Sequence, residues 1–122
     1  MEKFQTSVAK FMLLAGQDIP QKPKIPSKEI QDLRIKLIQE ELDELKQNSS
    51  DFVNVADAIA DLLYVVIGTA VAYGLDIEPI FEEVHSSNMT KFIDGYRRED
   101  GKWIKGKSYK PADIKSQINK QL

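Results

Sequence analysis

The sequence predicts an all-α fold, because apolar residues recur at helical spacing in four successive segments. Glycine, proline, asparagine, serine and aspartate gather between these segments, where they favour turns. The predicted helices cover residues 2–15, 28–47, 52–74 and 77–91. From Asp94 onward the helical pattern gives way to turn dipeptides and basic residues. We therefore expect a helical core followed by an irregular basic C-terminal tail.

Capping and breaking residues set the helix boundaries. Three prolines between residues 16 and 27 exclude a helix there. The candidate caps are Ser27 for the second helix, Asp51 or Ser50 for the third, Gly74 at the end of the third and Asp76 for the fourth. In the tail we expect mainly loop, with room for a short hairpin and for a short helix from Pro111 to about Gln121.

Composition indicates one soluble globular domain over residues 1–122, with 42% hydrophobic and 30% charged residues. A net charge of −2 gives no electrostatic argument for nucleic acid or an anionic membrane as partner. The absence of cysteine excludes disulfides and thiolate metal sites. The N-terminus lacks the pattern of a secretory signal. The low-charge run from Leu62 to Leu75 is too short to span a bilayer, so we expect a buried helix and a cytoplasmic protein.

The second predicted helix carries a dense run of carboxylates. On a helical wheel, Glu41 and Glu44 lie beside the apolar stripe of Ile35, Ile38, Leu42 and Leu45, whereas Glu40 points further out. A run of glutamates is usually a solvated face with lysine partners at i+4. No lysine stands four residues after Glu40, Glu41 or Glu44, which weakens that interpretation.

The third predicted helix is apolar except for one polar stripe. Its members are Asn54, Asp57, Asp61, Tyr64 and Gly68. Two carboxylates one turn apart repel each other, and each is costly to bury without a partner. A divalent cation removes both costs, and Mg²⁺ prefers oxygen ligands. The alternative is that Asp57 and Asp61 pair with lysines or cap loops.

The fourth predicted helix ends with polar residues on its core-facing side. Ile77, Ile80, Phe81 and Val84 mark that side, and Asn88 and Lys91 continue it. An amide and an ammonium group in these positions suggest ligand contacts. The alternative is that Lys91 extends its charge to solvent and Asn88 helps to end the helix. The single histidine, His85, is interpreted as structural.

Together these residues resemble the all-α nucleoside triphosphate pyrophosphohydrolase superfamily, which includes MazG, the phosphoribosyl-ATP pyrophosphatases and the MazG-like dUTP and dCTP pyrophosphatases. The superfamily signature is Glu-Glu-x-x-Glu, followed on the next helix by Glu-x-x-Asp. This chain has Glu40-Glu41-x-x-Glu44 and then Asp61-Leu62-Leu63. Residues 83–91 and the Lys105-Gly106-Lys107-x-Tyr109 segment resemble the phosphoribosyl-ATP pyrophosphohydrolase-like branch. The resemblance covers most of residues 1–114. It implies a four-helix core of the MazG-like type, with an N-terminal helix.

One position departs from that signature. The superfamily has a glutamate three residues before Asp61, where this chain has Ala58. Asp57 stands four residues before Asp61, and positions i−3 and i−4 share one side of a helix. Asp57 could therefore replace the missing ligand with a shorter side chain. Because of this departure, the number of metal ions stays open. The alternative of a degenerate, non-catalytic protein stays open as well.

The resemblance implies Mg²⁺-dependent hydrolysis of a nucleoside triphosphate between its α and β phosphates, with Mn²⁺ able to substitute. It makes Glu41, Glu44, Asp57 and Asp61 the metal ligands and Glu40 a residue that orients the attacking water. The implied substrate contacts are Arg34 and Lys91 for phosphate, Tyr64 and Asn88 for base or sugar, and Lys107 and Tyr109 from the tail.

Three functions stay open at this point. The first is a house-cleaning enzyme acting on a deoxynucleotide such as dUTP or dCTP, which the segment around His85 favours. The second is a phosphoribosyl-ATP pyrophosphatase. The third is a non-catalytic helical nucleotide-binding or scaffold module, supported by Ala58. A helical core of this size leaves a half-open acidic cleft. The resemblance implies that a homodimer or homotetramer completes it, and we expect the N-terminal helix near the interface.

Overall fold

The computed structural model describes residues 2–122 and is mainly helical, which confirms the all-α prediction. The helices of this part are α1 (Glu2–Leu14), α2 (Lys28–Gln47), α3 (Phe52–Ala72), α4 (Ile77–Met89), α5 (Lys91–Asp94) and α6 (Ile114–Asn119). Two strands, β1 (Tyr96–Arg97) and β2 (Trp103–Ile104), pair antiparallel. The described residues divide into two compact units, the first ending at Ile77 and the second beginning at Glu78.

In the first unit, α2 and α3 form an antiparallel pair. Ser27 caps α2 by accepting the Ile30 amide, and Asp51 caps α3 by accepting the Asn54 amide, as predicted. Only residues 48–51 separate the two helices, so α3 must fold back along α2. Side-chain contacts agree, because Arg34 reaches Val65 while Glu41, further along α2, approaches Asp61, earlier in α3.

Helix α1 covers the C-terminal half of α3. Val8 and Met12 of α1 pack with Ile67, Val71 and Ala72 of α3 to form the buried core of this unit. Gln5 reinforces the arrangement, because its Nε2 donates to the Leu75 carbonyl at 2.7 Å and its Oε1 accepts the Ile77 amide at 3.0 Å. One α1 side chain thus ties α1 to the segment that joins α3 to α4.

The end of α3 is a Schellman motif built on Gly74. Tyr73 is the C-cap, and Gly74 follows with φ +68°, a conformation that glycine adopts without strain. The Gly74 amide donates to the Val71 carbonyl and the Leu75 amide to the Ala70 carbonyl, which is the bonding pattern of this motif. The proline-rich segment runs close by, since a Cβ at Gly74 would overlap the Lys22 carbonyl.

Helix α3 is long and apolar enough to cross a membrane, judged by length and composition alone. The low-charge run from Leu62 to Leu75 is shorter than this helix, which begins at Phe52 and includes Asp57 and Asp61. Core helices of soluble proteins pass the same test, and α3 packs against both α1 and α2. Its buried residues lie mainly in its second half, whereas Phe52 at its start is 93% exposed.

Two predicted core faces are wrong in part. Ile35 was expected in the apolar stripe of α2 but is 65% exposed, because the face of α2 that meets α3 is centred nearer to Arg34. On α4, Ile80 is buried as predicted, but Phe81 and Val84 are exposed. Helical spacing identified these segments as helices, and it misplaced Ile35, Phe81 and Val84. The other apolar residues of α2 and α4 that were predicted to face the core are partly or fully buried, as expected.

The second unit contains the short hairpin and the short terminal helix for which the sequence left room, joined by irregular segments. The Asp94 carboxylate accepts hydrogen bonds from the Ser108 amide and hydroxyl, which brings together the two ends of the segment that carries the hairpin. Phe92 packs edge-on against Trp103 at 4.7 Å between ring centroids. Asp113 caps α6, since its side chain accepts the Ser116 amide.

The α3 terminus makes a prediction about stability. Gly74→Ala should cost about 1–2 kcal/mol for the left-handed backbone, plus roughly 1–3 kcal/mol for the overlap with the Lys22 carbonyl. Gly16→Ala is the matched control, because Gly16 has φ +81° and a Cβ at this position would meet nothing within 4 Å. Urea denaturation of both variants tests this. Equal losses would show that the proline-rich segment does not restrict Gly74.

Candidate active site

Three carboxylates of the first unit converge where α2 and α3 face each other. Glu41 and Glu44 lie one turn apart on α2, and Asp61 comes from α3. Each offers one oxygen, and these oxygens all lie within 4.8 Å of one another. The i, i+3 spacing puts both glutamates on one side of α2, and the antiparallel pairing brings Asp61 opposite. We call Glu41, Glu44 and Asp61 the acidic cluster.

Glu41 carries the strain of this arrangement. Its Oε2 is buried and has no hydrogen-bond partner. Desolvation raises the pKa of Glu41 above its ordinary value of 4.5. Glu44 raises it further, because two carboxylates this close favour a proton that they can share, and because of its charge. The charges of Asp61 and Glu40 act in the same direction. An unpartnered buried carboxylate oxygen costs free energy unless a proton or a cation satisfies it.

The acidic cluster has the chemistry to hold a divalent cation. Three carboxylate oxygens within 4.8 Å of one another suit a hard metal ion, which takes oxygen ligands. The unpartnered Glu41 Oε2 supplies an observation beyond the clustering itself, because it is an acceptor in need of a positive partner. The donor set contains no nitrogen or sulfur, which favours Mg²⁺, Mn²⁺ or Ca²⁺ over zinc.

Asp57, the fourth predicted metal ligand, and Glu40, predicted to orient the attacking water, lie outside the acidic cluster. Asp57 is exposed and is not among the carboxylates that converge. Glu40 is exposed too, yet close enough for its charge to raise the pKa of Glu41. Ala58, where the superfamily signature has glutamate, is only 3% exposed and contributes no ligand. The structure thus assembles three of the four predicted ligands.

Arg34 does not occupy the position expected of a phosphate ligand. Its side chain is buried, with 5% exposed surface, and lies against α3. Its Nη2 donates to the Val65 carbonyl at 2.9 Å and its Nε to Thr69 Oγ1 at 3.3 Å. The resemblance placed this residue at the substrate, but the guanidinium is engaged between the two helices.

Tyr64 lines an apolar pocket of about 230 Å³ formed by α1 and α3. Its ring packs edge-on against Phe11, with 5.7 Å between centroids. The remaining lining residues are Phe4, Ser7, Val8, Ala60, Leu63 and Ile67. Ala60 directly precedes Asp61, and Tyr64 follows it by one turn. Tyr64 thus lies on the helix that carries Asp61 and forms an aromatic surface with Phe11. This position is compatible with its predicted contact to a base.

The second unit brings together two of its four predicted substrate residues. The Lys91 ammonium lies 5.9 Å from the centroid of the Tyr109 ring, and Lys105 lies 4.9 Å from it. Asn88 and Lys107 are exposed. His85 is exposed as well, so its burial does not support the structural role predicted for it.

Sequence reasoning missed the residues that hold this part together. Ser87 is buried, and its hydroxyl donates to the Lys110 carbonyl at 2.7 Å and bonds with the Tyr109 hydroxyl at 3.1 Å. Thr90 accepts the Lys110 amide. No spacing signal links residues 22 or 23 positions apart. The only available sign was the position of Ser87 within the motif of residues 83–91.

The fold and the acidic cluster define the class as an all-α protein with a carboxylate site between paired helices. The family model for phosphoribosyl-ATP pyrophosphohydrolase matches residues 8–88, which contain all three cluster residues. The chain therefore belongs to the phosphoribosyl-ATP pyrophosphohydrolase family, and membership implies a pyrophosphohydrolase enzyme. A search of curated proteins found no significant match.

The raised pKa of Glu41 predicts a pH-dependent stability in the absence of metal. The folded protein holds this proton more tightly than the unfolded chain, so stability falls as pH rises from 4.5 through the folded-state pKa. Glu41→Gln removes the charge and should raise the melting temperature in EDTA at pH 7, with the advantage lost below pH 4.5. Thermal denaturation across pH measures this. Asp43→Asn, at an exposed carboxylate of the same helix, is the control. Identical pH profiles for wild type and Glu41→Gln would contradict the prediction.

Proposed function

We propose that this protein is a Mg²⁺-dependent nucleoside triphosphate pyrophosphohydrolase. It would cleave the α–β phosphoanhydride of a deoxynucleotide such as dUTP or dCTP, releasing a nucleoside monophosphate and pyrophosphate. Family membership supports the reaction class. The segment around His85, which resembles the phosphoribosyl-ATP pyrophosphohydrolase-like branch, is the sequence feature from which we infer a nucleoside triphosphate as substrate.

The observation that carries the proposal is the convergence of Glu41, Glu44 and Asp61 with one buried, unpartnered oxygen. Three carboxylates held this close are destabilising in a protein that has no cation to bind. Mg²⁺ binds nucleotide phosphates and carboxylates together, so one ion would satisfy the cluster and hold the substrate. A solvated glutamate face would leave no such buried acceptor.

The residues of the chain would divide the work as follows. Glu41, Glu44 and Asp61 would hold Mg²⁺, and Asp57 stays the proposed fourth ligand only if its exposed side chain turns toward them. When bound, Mg²⁺ would neutralise phosphate charge and lower the pKa of a water ligand. Glu40, exposed beside the cluster, would orient the attacking water and accept its proton. The water oxygen would bond to the α phosphorus as the bond to the bridging oxygen breaks.

Substrate contacts are proposed in each of the two units. In the first, Tyr64 would contact the base through the apolar pocket on α1 and α3. In the second, Lys91, Lys107 and Tyr109, with Asn88, would contact phosphate and sugar. Lys91 and Tyr109 already lie together, and ammonium groups are suited to phosphate oxygens. These roles follow the family resemblance and the chemistry of the side chains.

A second candidate function is phosphoribosyl-ATP pyrophosphohydrolase activity itself, because that is the description of the matching family. Both substrates contain a polyphosphate linked to a nucleoside, so the acidic cluster serves either. They differ at the base, where phosphoribosyl-ATP carries a second ribose phosphate. A substrate panel separates the two.

The first test is pyrophosphate release from a panel that contains dUTP, dCTP, the other canonical nucleoside triphosphates and phosphoribosyl-ATP. We expect release from one or a few deoxynucleotides with Mg²⁺ or Mn²⁺, and none with EDTA. Release from phosphoribosyl-ATP alone would support the second candidate. A folded protein that releases no pyrophosphate from any substrate would favour a non-catalytic binding or scaffold module.

Ligand variants test the site in the same assay. Glu41→Gln and Asp61→Asn should each lower pyrophosphate release on the order of 100-fold or more, since a metal contributes several kcal/mol to catalysis. Asp57→Asn is the informative comparison, because Asp57 is exposed and outside the cluster. Full turnover in Glu41→Gln and Asp61→Asn would refute the site assignment. A loss in Asp57→Asn equal to theirs would establish the fourth ligand.

We further propose a homodimer or homotetramer with α1 near the interface. Phe4, Phe11 and Leu14 on α1 are exposed, as are Leu63 and Val66 on α3. Large apolar side chains grouped on neighbouring helices are typical of interfaces. Phe11→Glu should shift the oligomer toward monomer in light scattering, whereas Ile25→Glu, at an exposed residue of the proline-rich segment, should not. A monomeric wild type would refute this proposal.

A further inference from the structure

Arg34 is the only charged residue in the buried class among the described residues. Its guanidinium has neutral partners, the Val65 carbonyl at 2.9 Å and Thr69 Oγ1 at 3.3 Å. The Thr69 hydroxyl in turn donates to the same Val65 carbonyl at 2.8 Å. Among the described side chains, no carboxylate forms an ion pair with it. The positive charge of Arg34 on α2 is therefore stabilised by hydrogen bonds to a backbone carbonyl and a hydroxyl of α3.

Burying a guanidinium in this way is costly. Burial lowers the pKa of Arg34, yet an arginine side chain stays protonated in proteins. A methionine or leucine of similar length would fill the same space without that cost. The benefit of arginine here is directional, because its planar fork bonds to fixed acceptors at defined positions.

Gly68 makes room for this side chain. A Cβ at position 68 would overlap Arg34 Nη2 and lie 3.2 Å from Arg34 Cζ and 3.5 Å from Val8 Cγ1. Glycine is otherwise unfavourable inside a helix, by about 1 kcal/mol relative to alanine. The glycine on α3 and the arginine on α2 are thus complementary, and their fit restricts both the separation of the helices and their relative slide.

The same two helices carry the acidic cluster. Arg34 precedes Glu41 by seven residues, and Gly68 follows Asp61 by seven. Seven residues are two helical turns, or about 10.5 Å along each axis. In antiparallel helices a slide of one residue at Arg34, about 1.5 Å, moves Glu41 and Glu44 past Asp61 by the same amount. That displacement is a large fraction of the 4.8 Å within which the cluster oxygens lie.

We propose that Arg34, seated over Gly68, is a positioning residue that holds α2 and α3 in the register at which Glu41, Glu44 and Asp61 bind a divalent cation. It acts through the helices and touches neither the cation nor the substrate. This inference rests on the proposed function for the existence of the cation site. It replaces the phosphate contact expected for Arg34 from the family resemblance.

The experiment measures Mn²⁺ binding to the full chain by calorimetry, together with thermal denaturation. Arg34→Met removes the donors and keeps the length, and Gly68→Ala displaces the guanidinium while Arg34 remains. Each should weaken Mn²⁺ binding about tenfold or more, the effect typical of lost support behind metal ligands. Arg34→Lys keeps the charge without the fork and should bind Mn²⁺ with intermediate affinity.

Met12→Ala is the control for a purely structural role. Met12 is a buried core residue of α1, outside the α2–α3 contact. It should lower the melting temperature and leave Mn²⁺ affinity unchanged. Equal weakening in Met12→Ala and Arg34→Met would overturn the inference, as would wild-type affinity in Arg34→Met. Should Arg34→Met fail to fold, Arg34→Lys decides on the same criterion. A wild type that binds no Mn²⁺ would overturn the proposed metal site itself, and this inference with it.

Discussion

The antiparallel pairing of α2 and α3 is the constraint on which the rest of this structure depends. A connection of four residues forces the second helix back along the first, so the residues of α2 that face α3 acquire fixed neighbours on it. The acidic cluster exists only because of that register, since Glu41 and Asp61 are 20 positions apart in sequence. Helix α1 packs on the second half of α3 and leaves the first half, with its carboxylates, free of that cover.

Apolar packing stabilises these helices, whereas the carboxylates of the acidic cluster destabilise them. Hydrophobic contacts between α1 and α3 favour the closed, dry packing of Val8, Ile67 and Val71. Nearer to its start, α3 places the Asp61 carboxylate close to Glu41 and Glu44 of α2. One oxygen of Glu41 is left there without a hydrogen-bond partner. Local strain of this kind collects at functional sites, because surrounding structure can bear its cost. The chain belongs to a family of pyrophosphohydrolases, and a functional site of this kind would account for the strain.

Local chemistry made much of this fold predictable. Ser27 and Asp51 start their helices as expected and Gly74 ends α3, because capping depends on a few neighbouring atoms. The three cluster residues were predictable from helical spacing and from the motif they form. The burial of Arg34 was not, since it depends on a gap on another helix at Gly68. The hairpin and the short terminal helix of the tail were expected from its turn dipeptides and from Pro111. The contact between Asp94 and Ser108 was not, because these residues meet 14 positions apart.

Ala58 has a consequence for the charge balance of the site. Three ionised carboxylates carry a formal charge of −3, and a divalent cation reduces this to −1. A fourth carboxylate at position 58, as in the superfamily signature, would raise the uncompensated charge and favour a second cation. With Ala58 buried and Asp57 exposed, the metal site that we propose would be matched to one resident ion. Any further cation in the reaction would then arrive with the polyphosphate and leave with it, making free Mg²⁺ concentration a determinant of the substrate's form.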